Sequence, residues 1–215
     1  MKIVIISPFQ FILRRGIERY TYSVSNLLAK KYNIKVIVYT WNSKKLVDWG
    51  DWHPNIKLRR VPYSRYFNKL LAQLYYKVWS RYDNPDVILL NFLYHGELCL
   101  PSKFKFMYIL HSPASQVPGR YIYIQKHVKK FKKIEFIAVS KMVRREAVTY
   151  LGKYKIAVIY NGVNIDSFGF AKPNKSTVLK LVTLSALEKR KGIQYLIKAM
   201  NLLKKESIEY NIYGD

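Results

Sequence analysis

Short, largely apolar runs recur along this chain: KIVIIS at 2–7, IKVIVYT at 34–40, VILLN at 87–91, FKFMYIL at 104–110, EFIAVS at 135–140 and IAVIY at 156–160. A strand with one wet face alternates apolar and polar residues, whereas a strand buried on both faces of a parallel sheet reads as a continuous apolar run. These runs are of the second kind. Between the first two lies a helical pattern, Ile17 to Lys31, with Tyr20, Val24, Leu27 and Leu28 three and four apart. Strand, helix and strand in that order predict an α/β chain, a Rossmann-like doubly wound parallel sheet with right-handed crossovers. Half of the residues are hydrophobic, ample for its core.

The pattern breaks once. Asn161-Gly162 is a turn signal, because both residue types tolerate the left-handed backbone. Residues 169–177 are rich in Gly, Pro, Asn, Ser and Thr, as in a connection between domains. A new apolar run follows at Val178–Leu184, then an amphipathic helical stripe of Ile193, Leu196, Ile197, Met200 and Leu203, then a run at Ile208–Tyr213. The expected organisation is a domain at 1–168, a linker at 169–177 and an incomplete second Rossmann-like domain at 178–215. Two strands and one helix cannot bury both faces of a sheet. The expectation is therefore a piece of a longer enzyme, or an open edge covered by a second chain or another copy.

Lys and Arg number 38 against 13 Asp and Glu, a net charge of +25. Nucleic acid, an anionic membrane surface and phosphorylated substrates would each answer such a field, as would a host proteome rich in lysine. No helix-turn-helix, zinc-finger or RNA-binding signature supports nucleic acid. The one cysteine, Cys99, excludes an internal disulfide and fits a reducing, cytoplasmic compartment. No run approaches the roughly 18 apolar residues of a membrane span.

Several stretches carry more than one reading. Residues 41–66 look irregular. From Phe67 a stripe of Leu70, Leu71, Leu74, Tyr75, Val78 and Trp79, flanked by Lys69, Lys77 and Arg81, is either a core-facing helix face, the commoner case, or a basic amphipathic helix for an anionic membrane. RYIYIQKHVKKFKK at 120–133 could track phosphates or a membrane, or present a solvated lysine face. Lys141–Leu151 reads as a helix capped by Ser140 and closed by Gly152.

In a doubly wound sheet, ligands sit off the carboxyl ends of the strands. His111-Ser112, before Pro113, stand at such an end, either as functional groups or as a histidine bonded into the sheet edge. The loop before Gly16 lacks G-x-G-x-x-G, which disfavours an ordinary dinucleotide site. Gly16 would let backbone N–H groups approach a phosphate at the positive end of a helix, or would simply serve the turn. Lys189, Arg190 and Lys191, followed by Gly192, sit where a helix begins. Cations there oppose the helix dipole, but they concentrate positive potential as an anion site requires.

VIYNGVNIDSF at 158–168 resembles the NGVD segment of GT-B retaining glycosyltransferases, and LVTLSALEKRKGIQYLIKAM at 181–200 resembles their GR…KG…LI segment. Gly16 and Glu18 match the family's GG.E loop, with Arg15 in place of the first glycine; Pro85-Asp86 and IAVS at 137–140 also resemble family segments, and Gly214-Asp215 its GDG turn. The chain is thus similar to glycosyltransferase family 4, or glycosyl transferases group 1, over nearly its whole length. The resemblance implies transfer of a sugar from a nucleotide-sugar co-substrate, a UDP- or GDP-sugar, to an acceptor hydroxyl with retention, with neither metal nor other cofactor. It implies His111 at the reactive centre, and Gly16, Lys189, Arg190 and Lys191 on the donor diphosphate. Arg15, Glu18, Ser112, Ser140, Asn161 and Gly162 would line the cleft. The family's arginine before that lysine is missing, Ser185-Ala186 standing in its place. Glycan, phosphorylated or lipid-linked acceptors and peripheral contact with the inner membrane surface complete the implied partners. A split-enzyme subunit that needs a second chain, and a basic nucleic-acid-binding protein, are the alternatives.

Overall fold

Successive residues of the first strand, β1 (Lys2–Ile6), enter two separate cores: Val4 and Ile6 one, Ile3 and Ile5 the other. β2 (Lys35–Trp41) repeats this, with Ile37 and Tyr39 in the first core and Val36 and Val38 in the second. That is why these runs are continuously apolar. The computed structural model describes residues 1–12, 15–41, 48–61, 68–91, 100–169, 177–203 and 206–214. Its contacts divide the chain into two units, Met1–Gly162 and Val163–Asp215. The division precedes the expected linker, of which residues 170–176 lie outside the described residues, as do Cys99 and Asp215.

In the first unit seven strands form one parallel sheet, in the order β3-β2-β1-β4-β5-β6-β7. The later strands are β3 (Ile56–Val61), β4 (Val87–Leu90), β5 (Lys105–Leu110), β6 (Lys133–Ala138) and β7 (Ile156–Val158). Helices α1 (Gly16–Tyr32), α2 (Asn68–Asp83), α3 (Pro118–His127) and α4 (Lys141–Leu151) follow β1, β3, β5 and β6. Leu28 of α1 packs on the second core, while α2, α3 and α4 supply Ala72, Tyr76, Tyr121, Ile124, Val143 and Leu151 to the first. This is the α/β, Rossmann-like doubly wound sheet expected.

Five local expectations are corrected. Residues 41–66 are not irregular throughout, since they contain β3; its Lys57, Arg59 and Arg60 interrupt the apolar run because it is the sheet's edge strand. α1 turns Thr21, Ser25 and Ala29 inward and leaves Leu27 exposed, because small side chains let the helix approach the sheet closely. In α2 the leucine stripe also faces outward: Leu71, Leu74 and Val78 are 43%, 57% and 52% exposed. The inward positions belong to Ala72, Tyr76, Ser80 and Asp83, with Tyr75 and Trp79 partly buried; the side chain of Leu70 lies outside the described set. Gly152 ends α4 with right-handed geometry (φ −58°) rather than a left-handed cap. Asn161 and Gly162 also stay out of the left-handed region, which Asn33 and Asn84 adopt instead, beyond the ends of α1 and α2.

Asp83 and Arg59 lock α2 to the sheet. The Arg59 guanidinium donates to both Asp83 carboxylate oxygens, the Nε bond measuring 3.0 Å, and Tyr39 Oη donates to Oδ2 at 2.6 Å. Trp79 covers the guanidinium, its ring centroid 3.7 Å from Cζ. In 120–133 the alternation separates: Tyr121, Ile124, Val128 and Phe131 are buried and Lys126, Lys129, Lys130 and Lys132 are exposed.

In the second unit β8 (Leu179–Leu184) pairs in parallel with β9 (Ile208–Tyr213), joined through α5 (Ile193–Leu202). Among the described residues of this unit no hydrophobic side chain is buried. Two strands and a helix lack the layers for a closed core.

Candidate active site

Strand order reverses beside β1: the chain goes to β2 on one side and returns to β4 on the other. At such a switch point the loops part, leaving a crevice at the strands' carboxyl ends. Ser7 follows β1, Asn91 follows β4 and His111 follows β5, so the sheet itself delivers three polar residues to that crevice.

They are joined. His111 Nε2 lies 2.9 Å from Asn91 Oδ1, and Asn91 Nδ2 donates to Thr21 Oγ1 of α1 at 2.9 Å. Thr21 Oγ1 lies within donating distance of Ser7 Oγ (3.3 Å), Ser7 Oγ donates to Gln10 Oε1 (3.1 Å), and Gln10 Nε2 donates to the Glu18 carbonyl (3.0 Å). Tyr20 meets the imidazole edge-on, centroids 5.1 Å apart. Burial, helped by the positive charge of Arg120, lowers the His111 pKa to about 4, so the ring is neutral at pH 7.

The loop after His111 is held on both sides. Tyr121 Oη donates to the Ser112 carbonyl at 2.8 Å, and the Ser115 N–H donates to Glu146 Oε2 at 2.7 Å. Ser140 accepts from the Val143 N–H at 3.2 Å, which makes it the N-cap of α4, as its position in the sequence suggests.

At the start of α1, Arg15 is the N-cap and its side chain makes no capping bond. Glu18 stands three residues after that cap, where the backbone N–H groups of Glu18 and Arg15 favour its charged form. Burial raises its pKa all the same, against those N–H bonds and the charge of Arg15. Glu18 is 1% exposed and so is buried under the helix start. A Cβ at Gly16 would meet nothing within 4 Å, and Gly16 borders an open pocket of about 610 Å³ with Arg15, Arg19 and Trp49. Neither packing nor a positive φ requires this glycine.

In the second unit Lys189–Lys191 form a single 3-10 turn, and Gly192, with φ 75°, redirects the chain into α5. Arg190 is paired with Glu188. Lys189 and Lys191 are exposed, and among the described residues they form no ion pair.

Residues 14–167 match the sequence profile of Glycosyltransferase Family 4. The chain belongs to glycosyltransferase family 4. None of the curated proteins matches it by sequence. Solved structures agree on the fold. A glycosyltransferase from Rickettsia africae superposes with a TM-score of 0.72 at 20% identity, covering 100% of this chain and 60% of its own. The apo form of the lipopolysaccharide outer core galactosyltransferase WaaB gives 0.65 at 14%, covering 99% and 60%. An E. coli trehalose-6-phosphate protein bound with UDP-2-fluoro glucose gives 0.67 at 11%, covering 99% and 64%. The chain therefore spans about three fifths of the length of these relatives.

Within this family 4 chain, the structure brings His111 to the switch point and Arg15 and Gly16 to an open pocket, and it keeps Glu18 buried. Asn161 and Gly162 are exposed, outside any helix or strand, where the first unit ends. Ser7, Gln10, Thr21 and Asn91 were not anticipated. Ser7 and Asn91 had a signal, since each is the polar residue that terminates an apolar run.

Proposed function

We propose that this protein transfers a sugar, with retention, from a UDP- or GDP-sugar to a hydroxyl of a glycan, phosphorylated or lipid-linked acceptor. The observation that carries the reading is His111, neutral and held by Asn91 at the switch point of a family 4 sheet. In the transfer, the bond between the anomeric carbon and the diphosphate oxygen breaks, and a bond to the acceptor oxygen forms. The acceptor's proton leaves with the departing phosphate. Charge then develops on the diphosphate, where fixed cations and N–H dipoles lower the barrier. Lys191 and Lys189, exposed and without an ion pair among the described residues, suit that role, and Arg190 would first have to leave Glu188. The open N-terminus of α1 at Gly16 offers N–H groups to phosphate oxygens. His111 contacts the sugar.

The acceptor side follows from the first unit's surface. Arg15 and Arg19 beside Trp49 suit a phosphorylated sugar, the arginines pairing with phosphate and the indole covering a ring face. The outward stripe of Leu71, Leu74 and Val78, beside exposed Lys77 and Arg81, suits an anionic membrane that presents a lipid-linked acceptor. Among the described residues no helix is long and apolar enough to cross a membrane.

A second reading, a subunit completed by another polypeptide, is favoured by the exposed apolar side chains of β8 and α5. Transfer by the purified chain alone tests it: sugar transfer with no second polypeptide present would remove it.

Incubation with UDP- and GDP-sugars and extracted lipid acceptors, followed by mass spectrometry, tests the main reading. The expected result is an acceptor heavier by one sugar, lost in His111→Ala with the fold intact. Undiminished transfer by that variant would remove His111 from the site.

A further inference from the structure

The hydrogen bonds that end at His111 have a direction, and that direction begins at a backbone carbonyl. A carbonyl oxygen can only accept. Gln10 must therefore turn its NH2 toward the Glu18 carbonyl, which leaves its Oε1 toward Ser7. Ser7 must donate to that oxygen, since an amide oxygen has no proton to give. Its remaining capacity toward Thr21 is a lone pair. Thr21 Oγ1 has one proton and two acceptors for it, Ser7 Oγ at 3.3 Å and the Ile17 carbonyl at 3.1 Å. Either choice leaves a Thr21 lone pair facing Asn91, and the Asn91 NH2 meets it at 2.9 Å; a flipped amide would draw the Thr21 proton away from both Ser7 and Ile17 and satisfy fewer hydrogen bonds. Its Oδ1 is then turned to His111, and the ring nitrogen 2.9 Å away must carry a hydrogen. Amide orientation and histidine tautomer, usually two separate choices, are here coupled through Thr21 and Asn91.

We propose that Asn91, polarised by Thr21, is a positioning residue that holds His111 in its Nε2–H tautomer and leaves Nδ1 as a lone pair to accept a hydrogen bond from a sugar hydroxyl. Among the described residues His111 has no other hydrogen bond that would occupy Nδ1. The lowered pKa supports this, because a ring that resists protonation keeps that lone pair at neutral pH. A neutral Nδ1 cannot donate to a phosphate, so His111 recognises a hydroxyl and leaves the diphosphate to the cations. The role given to the sugar rests on the proposed transferase activity; the tautomer does not.

Long-range nitrogen-proton NMR on chain labelled with ¹⁵N-histidine, assigned with His111→Gln, reads the tautomer directly. The expected spectrum at pH 7 has a protonated, pyrrole-type Nε2 and a lone-pair, pyridine-type Nδ1. The reverse pattern, or averaged shifts, would overturn the inference in the wild type without any variant. Asn91→Asp keeps an acceptor for Nε2–H and should retain the pattern. Asn91→Leu should average the two nitrogens and lower kcat by about tenfold, the worth of one misplaced hydrogen bond. A Leu variant that keeps the wild-type spectrum, or the wild-type kcat, would overturn the positioning role. The spectrum needs no substrate. A wild type with the expected tautomer and no transfer would sink the proposed activity and leave the tautomer standing.

Discussion

Acidification should cost the first unit stability through His111. Its pKa falls from the ordinary 6.5 to about 4 in the folded chain, mainly because burial disfavours the imidazolium, with Arg120 adding repulsion. Between those values the unfolded chain binds a proton that the folded chain refuses. The stability contributed by the neutral ring is therefore complete above pH 6.5 and is lost as pH falls toward 4. Each unit of difference is about 1.4 kcal/mol, so the full loss is about 3 kcal/mol. All the tryptophans, Trp41, Trp49, Trp52 and Trp79, lie in the first unit, so urea titrations followed by their fluorescence report that unit alone. Glu18 works in the opposite sense, since its raised pKa gives stability that is present at low pH and is lost as pH rises through the raised value. Comparison with His111→Gln cancels that contribution, because Glu18 is common to both proteins. Wild type should lose about 3 kcal/mol more than the variant between pH 7 and pH 4. Parallel pH profiles would refute the buried, neutral imidazole and the account of the site built on it.

Other substitutions separate packing from function. Asp83→Asn strips the Arg59 guanidinium of its carboxylate and should cost about 3–5 kcal/mol in urea unfolding; a loss below about 1 kcal/mol would show a solvent-screened pair. Gly16→Ala should leave stability unchanged or raise it by about 0.4–1 kcal/mol, since the added methyl meets nothing, yet weaken nucleoside diphosphate binding in calorimetry. A destabilised variant would show that the glycine serves the turn. Leu74→Glu should shift stability by no more than about 0.5 kcal/mol while reducing sedimentation with vesicles rich in phosphatidylglycerol. Undiminished sedimentation would remove the outward face of α2 from the membrane reading.

The strands were legible because burial on both faces leaves no polar residues in the run. β3 was not, because an edge strand is partly wet and its cations read as loop. The helices misled for a related reason. Periodicity says that a helix has an apolar stripe, but not that the stripe faces inward, and in α1 and α2 the sheet chose small or hydrogen-bonding side chains. Thr21 and Ser25 fit close to the strands, and Asp83 reaches Arg59 and Tyr39 across long stretches of sequence. His111 could be singled out by its place at a strand end. Its partner Asn91 belongs to another strand and is anchored by a helix, a contact that only the folded sheet creates.

Calorimetric titration of UDP-, GDP- and ADP-sugars into the protein, then into Lys191→Ala, tests the proposed chemistry most directly. Saturable binding of one of them, weakened about tenfold or more in the variant, is the predicted result, the loss expected of one charge-assisted contact to a phosphate. Binding of none, or an affinity untouched by the substitution, would contradict it.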